Sequence, residues 1–222
     1  MGTTVEQVMG RVAIAVRRDA RFTDIVATMR RFAVGAVAVI DADRRPVGVV
    51  SEDDLLLKET GDLGRRATVL DTPARRRDRE KAAGTTAEEL MTSPAITVTP
   101  GTSVRDAARL MHDHRIKQLP VIDPVTGRMV GTVHQSDLLR VFDRSAGELA
   151  AAARKVIRET GADLAKLSVT VRQGVLTVTG EVATRAQAER VADELRRLEG
   201  VVDVVCELTY REDDLLVVPP LL

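Results

Sequence analysis

One stretch that occurs twice constrains this chain more than any other feature. Gly48-Val49-Val50-Ser51-Glu52-Asp53-Asp54-Leu55-Leu56 returns as Gly131-Thr132-Val133-His134-Gln135-Ser136-Asp137-Leu138-Leu139. Each copy reads as an apolar strand ending in a polar turn that opens a helix. Such a turn aims backbone N–H groups and short polar side chains at whatever lies above it. Upstream of the turn the copies align at an offset of 82, which pairs Met9 with Met91, Ile14 with Ile96, Asp24 with Asp106 and Met29 with Met111. One extra residue between Pro124 and Arg128 moves the offset to 83 for the rest of the copy. Two copies are too few for a solenoid, so the pattern predicts a pseudo-symmetric pair with a cleft between its halves.

Within each copy the periodicities switch as a mixed α and β unit requires. Phe22, Ile25, Val26 and Met29 recur at helical spacing, as do Val104, Ala107, Ala108 and Met111. Val34 to Ile40 is a nearly continuous apolar run, consistent with a strand covered on both faces. Ser51 with Asp54, and Ser103 with Asp106, have the spacing of an N-cap and its N3 partner. Gly35, Ala36 and Ala38 of the first copy stand where the second carries Lys117, Gln118 and Pro120. The two clefts are therefore expected to be lined differently.

The ordered series Leu90-Met91-Thr92-Ser93-Pro94-Ala95-Ile96-Thr97-Val98, Arg115-Ile116-Lys117-Gln118-Leu119-Pro120-Val121-Ile122-Asp123 and Gly131 to Leu139 resembles a CBS domain. The resemblance spans residues 5 to 142 as a tandem pair, a Bateman module, and implies a β-α-β-β-α unit used twice. It also implies two clefts that hold adenosine-containing ligands (AMP, ADP or ATP) in a regulatory role, without catalysis. Carried over by motif, Asp54 and Asp137 are the carboxylates that would take the two ribose hydroxyls. Ser51 is the hydroxyl that would meet phosphate, with His134 in its place in the second copy. Adenine would lie against Val12 and Ile14 in the first copy, and against Pro94, Ile96 and Pro120 in the second. Arg115 and Lys117 flank a strand entry and are candidates for phosphate. The first cleft, which keeps both hydroxyl and carboxylate, is expected to be the tighter site.

From Ser145 the pattern changes. Leu149, Ala153, Val156 and Ile157 share a helical face that Gly161 ends. Leu167, Val169 and Val171 alternate up to a Gln173-Gly174 turn, and Val175 to Thr179 runs back. Ala188, Val191, Ala192 and Leu195 mark a second helix, and Val201 to Thr209 a last strand. This α-β-β-α-β order, with Gly174-Val175-Leu176-Thr177-Val178-Thr179-Gly180 and Leu198-Glu199-Gly200-Val201, resembles a BON domain over residues 146 to 210. That resemblance implies protein or phospholipid binding.

The expected architecture is thus mixed α+β and α/β: a CBS repeat at 1–60, a charged linker at 61–86, a second repeat at 87–143, a BON domain at 144–213 and a tail at 214–222. The linker carries Arg75, Arg76, Arg77, Arg79 and Lys81, which read either as a solvated helix or as a positive rim above the cleft. Lys plus Arg equals Asp plus Glu at 33 each, so no global field recruits nucleic acid. Three Phe, one Tyr and no Trp leave little for base-stacking platforms. His112 and His114 lie two apart on a helix and read as surface residues rather than metal ligands. The lone Cys206 permits no internal disulfide, and no secretory signal or apolar run of about 20 residues is visible, so a cytoplasmic protein is expected. Apolar Leu55, Leu56, Leu138, Leu139, Val141 and Phe142 after the two motif aspartates suggest a homodimer. The function expected is a non-enzymatic regulator that reports an adenine nucleotide to a protein partner through the BON domain. The alternatives are a ligand-free dimerising scaffold and BON-mediated phospholipid binding.

Overall fold

The turn in each copy of the repeated motif is positioned by the strand that leads into it and by that strand's pairing. In the computed structural model, which describes residues 2–60, 72, 78, 80–81 and 83–214, the chain divides into two units, Met1–Leu138 and Leu139–Leu222. The arginine-rich run at 75–77 and the end of the tail lie outside the described residues.

The first unit opens with α1 (Val5–Val8), β1 (Ala15–Arg17), α2 (Phe22–Phe32), β2 (Ala36–Ile40), β3 (Pro46–Ser51) and α3 (Glu52–Leu56). The second repeat follows with α4 (Ala87–Leu90), α5 (Val104–His114), β4 (Gln118–Ile122), β5 (Met129–His134) and α6 (Gln135–Leu138). β1 runs parallel to β2, and β2 antiparallel to β3. In the second repeat β4 and β5 pair antiparallel, while the counterpart of β1 is reduced to one parallel bridge, Val98 to Val121. The β-α-β-β-α order of both repeats is otherwise the one that the CBS resemblance implies.

Most of the predicted stripe residues are buried: Ile25 and Met29 on α2, and Val104, Ala107 and Met111 on α5, are at most 5% exposed. Phe22 and Val26 are half-buried, whereas Ala108, placed in the α5 stripe, is exposed because it falls one position past the buried face at Ala107. Each of these helices ends on a non-glycine residue in the left-handed region, Ala33 (φ 51°) and Arg115 (φ 55°). An L residue there costs about 1–2 kcal/mol, which the packing of the turn must offset. The following strand is entered at once, through Gly35 and Ala36 in one repeat and Lys117 and Gln118 in the other. The turn that carries the extra residue is tied by Asp123, whose Oδ1 accepts from the backbone N–H of Thr126 (2.7 Å) and Val125 (3.1 Å). Those bonds, led by Thr126, hold its carboxyl below the usual range.

Each repeat lends its opening segment to the other. Ala87 and Leu90 of α4 sit in one core with Ile25, Met29, Val37, Val39, Val50 and Leu55 of the first repeat. The Ala87 N–H donates to the Ala20 carbonyl, and Val49 and Thr92 exchange both backbone hydrogen bonds at 3.0 and 2.8 Å. In mirror fashion, Val5 donates to the Thr102 carbonyl, and Gly10 and Thr132 exchange theirs at 3.0 and 3.2 Å. Glycine is required where the exchanged segments cross: a Cβ on Gly48 would strike the Met91 side chain, and one on Gly131 the Gly10 carbonyl oxygen.

The second unit holds α7 (Ala146–Glu159), β6 (Leu167–Arg172), β7 (Val175–Thr184), α8 (Arg185–Arg196) and β8 (Asp203–Glu212), the predicted order. β6 and β7 form a hairpin through Gln173 (φ 51°) and Gly174 (φ 76°), the two positive φ values a tight right-twisting turn needs. β8 joins β7 in parallel, which makes β7 the central strand. Leu149, Ala153 and Ile157 of α7, with Val191 and Leu195 of α8, are at most 1% exposed. The Ser145–Glu148 capping box opens α7, and Thr184 caps α8 by accepting from the Gln187 N–H. Cys206 packs against this core, and burial pushes its thiol up.

Candidate ligand site

The exchange of opening segments decides what the repeated motif faces. Thr92 pairs with Val49 of β3, and the chain after it runs back along that strand, with the Ser93 hydroxyl and the Ala95 N–H both on the Val47 carbonyl. The result is a cavity of about 300 Å³. Ser51 and Asp54 line it together with Pro94, Ala95 and Ile96, while Arg115, Lys117, Gln118 and His134 come from β4, its entry and the end of β5. The volume is at the small end of the range of ligand pockets.

This placement corrects the expectation that each repeat lines its own cleft. Pro94, Ile96, Arg115, Lys117 and His134, assigned above to the second copy, share one cavity with Ser51 and Asp54 of the first. Val12, Ile14, Pro120 and Asp137 do not line it. Val12 is 70% exposed, Pro120 is buried in β4, and the Asp137 Oδ2 accepts from the His134 N–H at 2.9 Å. The physical reason is the crossing at Val49 and Thr92, a contact between residues far apart in the chain that no local periodicity encodes.

The chemistry at the two ends differs. At one end the Asp54 carboxylate is held in place: its Oδ2 accepts from the Ser51 N–H (2.8 Å) and hydroxyl (2.7 Å), and Ser51 Oγ accepts in turn from the Asp54 N–H (3.3 Å). The predicted capping box and the predicted carboxylate are thus the same pair. Its Oδ1 takes a charge-assisted bond from Lys81 Nζ at 2.6 Å, and Lys81 also donates to Thr92 Oγ1 at 2.6 Å. The two charged side chains are 17% and 13% exposed, so this pair is far better shielded than the surface pairs of the chain. Lys81 had been legible only as one of several linker cations.

Glu52, Asp53 and Asp54 all fall in the first turn of α3, which is only five residues long. That turn has no anion-attracting excess: three carboxylates outweigh a short helix's dipole. Positive charge comes instead from Arg115 and Lys117 on the other wall. Pro94, Ala95 and Ile96 supply the apolar surface. Gln118 went unassigned in the sequence; it lies on the floor, paired in register with His134, and is 8% exposed. The corresponding floor pair of the first repeat is Ala36 with Ser51. Among the described residues no cluster of three or more His, Cys, Asp or Glu could hold a metal ion.

A carboxylate fixed by its own cap, an apolar wall and a cationic rim, enclosed by two pseudo-symmetric repeats, define a small-molecule-binding module. The chain belongs to the CBS domain family: residues 5–60 and 87–144 match it as a pair, and residues 145–212 match the BON domain. An uncharacterized protein of Methanopyrus kandleri is 28% identical over 118 residues, covering 53% of this chain and 52% of its own. The chain thus spans about half the length of that relative. The CBS domain-containing protein YhcV of Bacillus subtilis is 27% identical over 147 residues, 65% of this chain and 91% of its own. The inosine-5′-monophosphate dehydrogenase of Nitrosopumilus maritimus matches over 50% of this chain but only 18% of the enzyme. Among solved structures, CBSX2 in complex with AMP superposes with a TM-score of 0.53 at 26% identity, over 63% of this chain and 95% of CBSX2. The CBS domain pair of protein MJ0100, in complex with 5′-methylthioadenosine and S-adenosyl-L-methionine, shares the fold at 20% identity and a TM-score of 0.51, over 64% and 98% of the two chains.

Proposed function

We propose that the first unit is a regulatory module that binds an adenosine phosphate in the cavity described, and that it does so without catalysing a reaction. The observation that carries this reading is the Asp54 carboxylate, oriented by Ser51 at one end of a cavity whose other walls are apolar and cationic. An ionised carboxylate accepts hydrogen bonds from both hydroxyls of a ribose. Pro94 to Ile96 face the base, and Arg115 and Lys117 offset the phosphate charge. The AMP held by the similar CBSX2 supports the ligand class.

Two further roles belong to the same proposal. The protein forms a homodimer through apolar residues exposed after each motif aspartate: Leu56 in the first unit is 59% exposed, and Leu139 and Phe142 at the start of the second unit are 61% and 50%, whereas Leu55 and Leu138 are buried and take no part. The BON unit relays the bound state to a protein partner in the cytoplasm, since α7 and α8 carry mixed charges rather than the basic face of an interfacial helix. The described residues contain no helix long and apolar enough to cross a membrane.

Thermal unfolding with AMP, ADP, ATP, S-adenosylmethionine and NADH tests the ligand reading. A ligand of the native state at 100 times its dissociation constant adds about 2.7 kcal/mol. An upward shift with an adenosine phosphate is expected. No shift with any of the five at millimolar concentration overturns the proposal in favour of a ligand-free scaffold.

A further inference from the structure

We infer that Lys81 is a latch on the ligand site: its ammonium occupies the carboxylate that the ligand needs, and binding releases it; this rests on the nucleotide reading above. Lys81 Nζ donates to Asp54 Oδ1 and to Thr92 Oγ1, both at 2.6 Å, and both partners line the cavity. The ammonium therefore stands at the cavity wall. An ionised carboxylate offers about four acceptor positions. On Asp54 three are taken: Oδ2 accepts from the Ser51 N–H and hydroxyl, and Oδ1 accepts from Lys81. The two neighbouring hydroxyls of a ribose need two positions, so one donor must leave.

Connectivity identifies which donor leaves. The Ser51 groups belong to the frame: the N–H is backbone, and Oγ is tied by the Asp54 N–H that it accepts within the same cap. Lys81 lies 27 residues from Asp54 and holds the site through one long side chain. Behind it the chain is anchored. The Gly84 N–H donates to the Glu80 and Lys81 carbonyls at 3.1 and 2.9 Å. Glu89 Oε2 then accepts from the N–H of Thr85 (2.7 Å) and of Thr86 (3.1 Å) at the start of α4, whose Ala87 and Leu90 are buried in the core of the first repeat. Release of the ammonium thus acts at the end of the charged linker and leaves α4 in place. Ligand and latch compete for one carboxylate, so each weakens the other by the same factor. Occupancy of the cavity is thereby reported to the linker as a freed lysine.

The test reads lysine reactivity and affinity on the full chain. Amine acetylation is followed by mass spectrometry with and without saturating AMP, and AMP affinity is measured by calorimetry on the wild type and on Lys81→Met. A latch closed about four-fifths of the time lowers affinity about fivefold, so Lys81→Met is expected to bind AMP about fivefold tighter. The same population makes Lys81 about fivefold more reactive once AMP holds the latch open. Lys117, which lines the cavity, is expected to become less reactive, and the exposed Lys155 and Lys166 of the second unit to stay constant. Lys81→Gln serves if the methionine variant does not fold. Lys81 reactivity that is unchanged or lowered at saturating AMP, or an equal or lower affinity in the variant, overturns the latch and leaves the nucleotide site standing. AMP binding by the variant alone supports the latch, and binding by neither protein overturns the nucleotide reading itself.

Discussion

The two repeats share their ladder registers and differ in what those ladders carry. Ala36 faces Ser51 across β2 and β3, and the same rung of β4 and β5 holds Gln118 facing His134. The first rung thus presents a methyl and a hydroxyl to the cavity, the second an amide and an imidazole. The repeats also mirror each other in their caps: Ser51 holds the Asp54 carboxylate through both its N–H and its hydroxyl, while Asp137 accepts from the His134 N–H at the same place. The two frames are thus equivalent in backbone and unequal in lining: one brings the Asp54 carboxylate to the cavity, the other Arg115, Lys117, Gln118 and His134. Pseudo-symmetry of the backbone does not imply two equal sites.

The comparison breaks most readily at the two aspartates. Asp54→Ala removes a charge-assisted bond to ribose, roughly 1.5–3 kcal/mol, and should weaken AMP binding by about one to two decades in calorimetry. Asp137→Ala, outside the cavity, should leave affinity within about threefold. The reverse order would make the second frame the binding one. A second contrast lies at the crossings. Gly131→Ala drives a Cβ against the Gly10 backbone, which cannot step aside, and should cost about 1–3 kcal/mol in denaturant unfolding. Gly48→Ala meets the flexible Met91 side chain and should cost less. Equal costs would show that backbone and side chain yield alike at these crossings. The smallest effect expected is at Lys81, which is paired with the Asp54 carboxylate at 2.6 Å. Lys81→Met frees the Asp54 Oδ1 and should tighten AMP about fivefold. Weaker binding in that variant would instead put the lysine among the groups that hold the ligand.

Much of this architecture is local and was therefore readable along the chain. The stripes of α2 and α5, the Ser51–Asp54 and Ser145–Glu148 capping boxes and the Gln173-Gly174 turn each depend on residues a few positions apart, where helical and strand periods act directly. The repeat offset exposed the duplication, and the motif order carried the family. What tertiary structure alone decided is which surfaces meet. The bonds between Val49 and Thr92, and between Gly10 and Thr132, join segments whose separation leaves no periodic trace, and they move Pro94 and Ile96 from their own repeat onto the other's motif. The same long-range packing brought Lys81 to Asp54 and left the Gln118 amide buried and unpaired over the cavity floor. Sequence sets the periods of the elements. Burial and hydrogen bonding between distant elements determine which few side chains share a space, and that sharing makes the site.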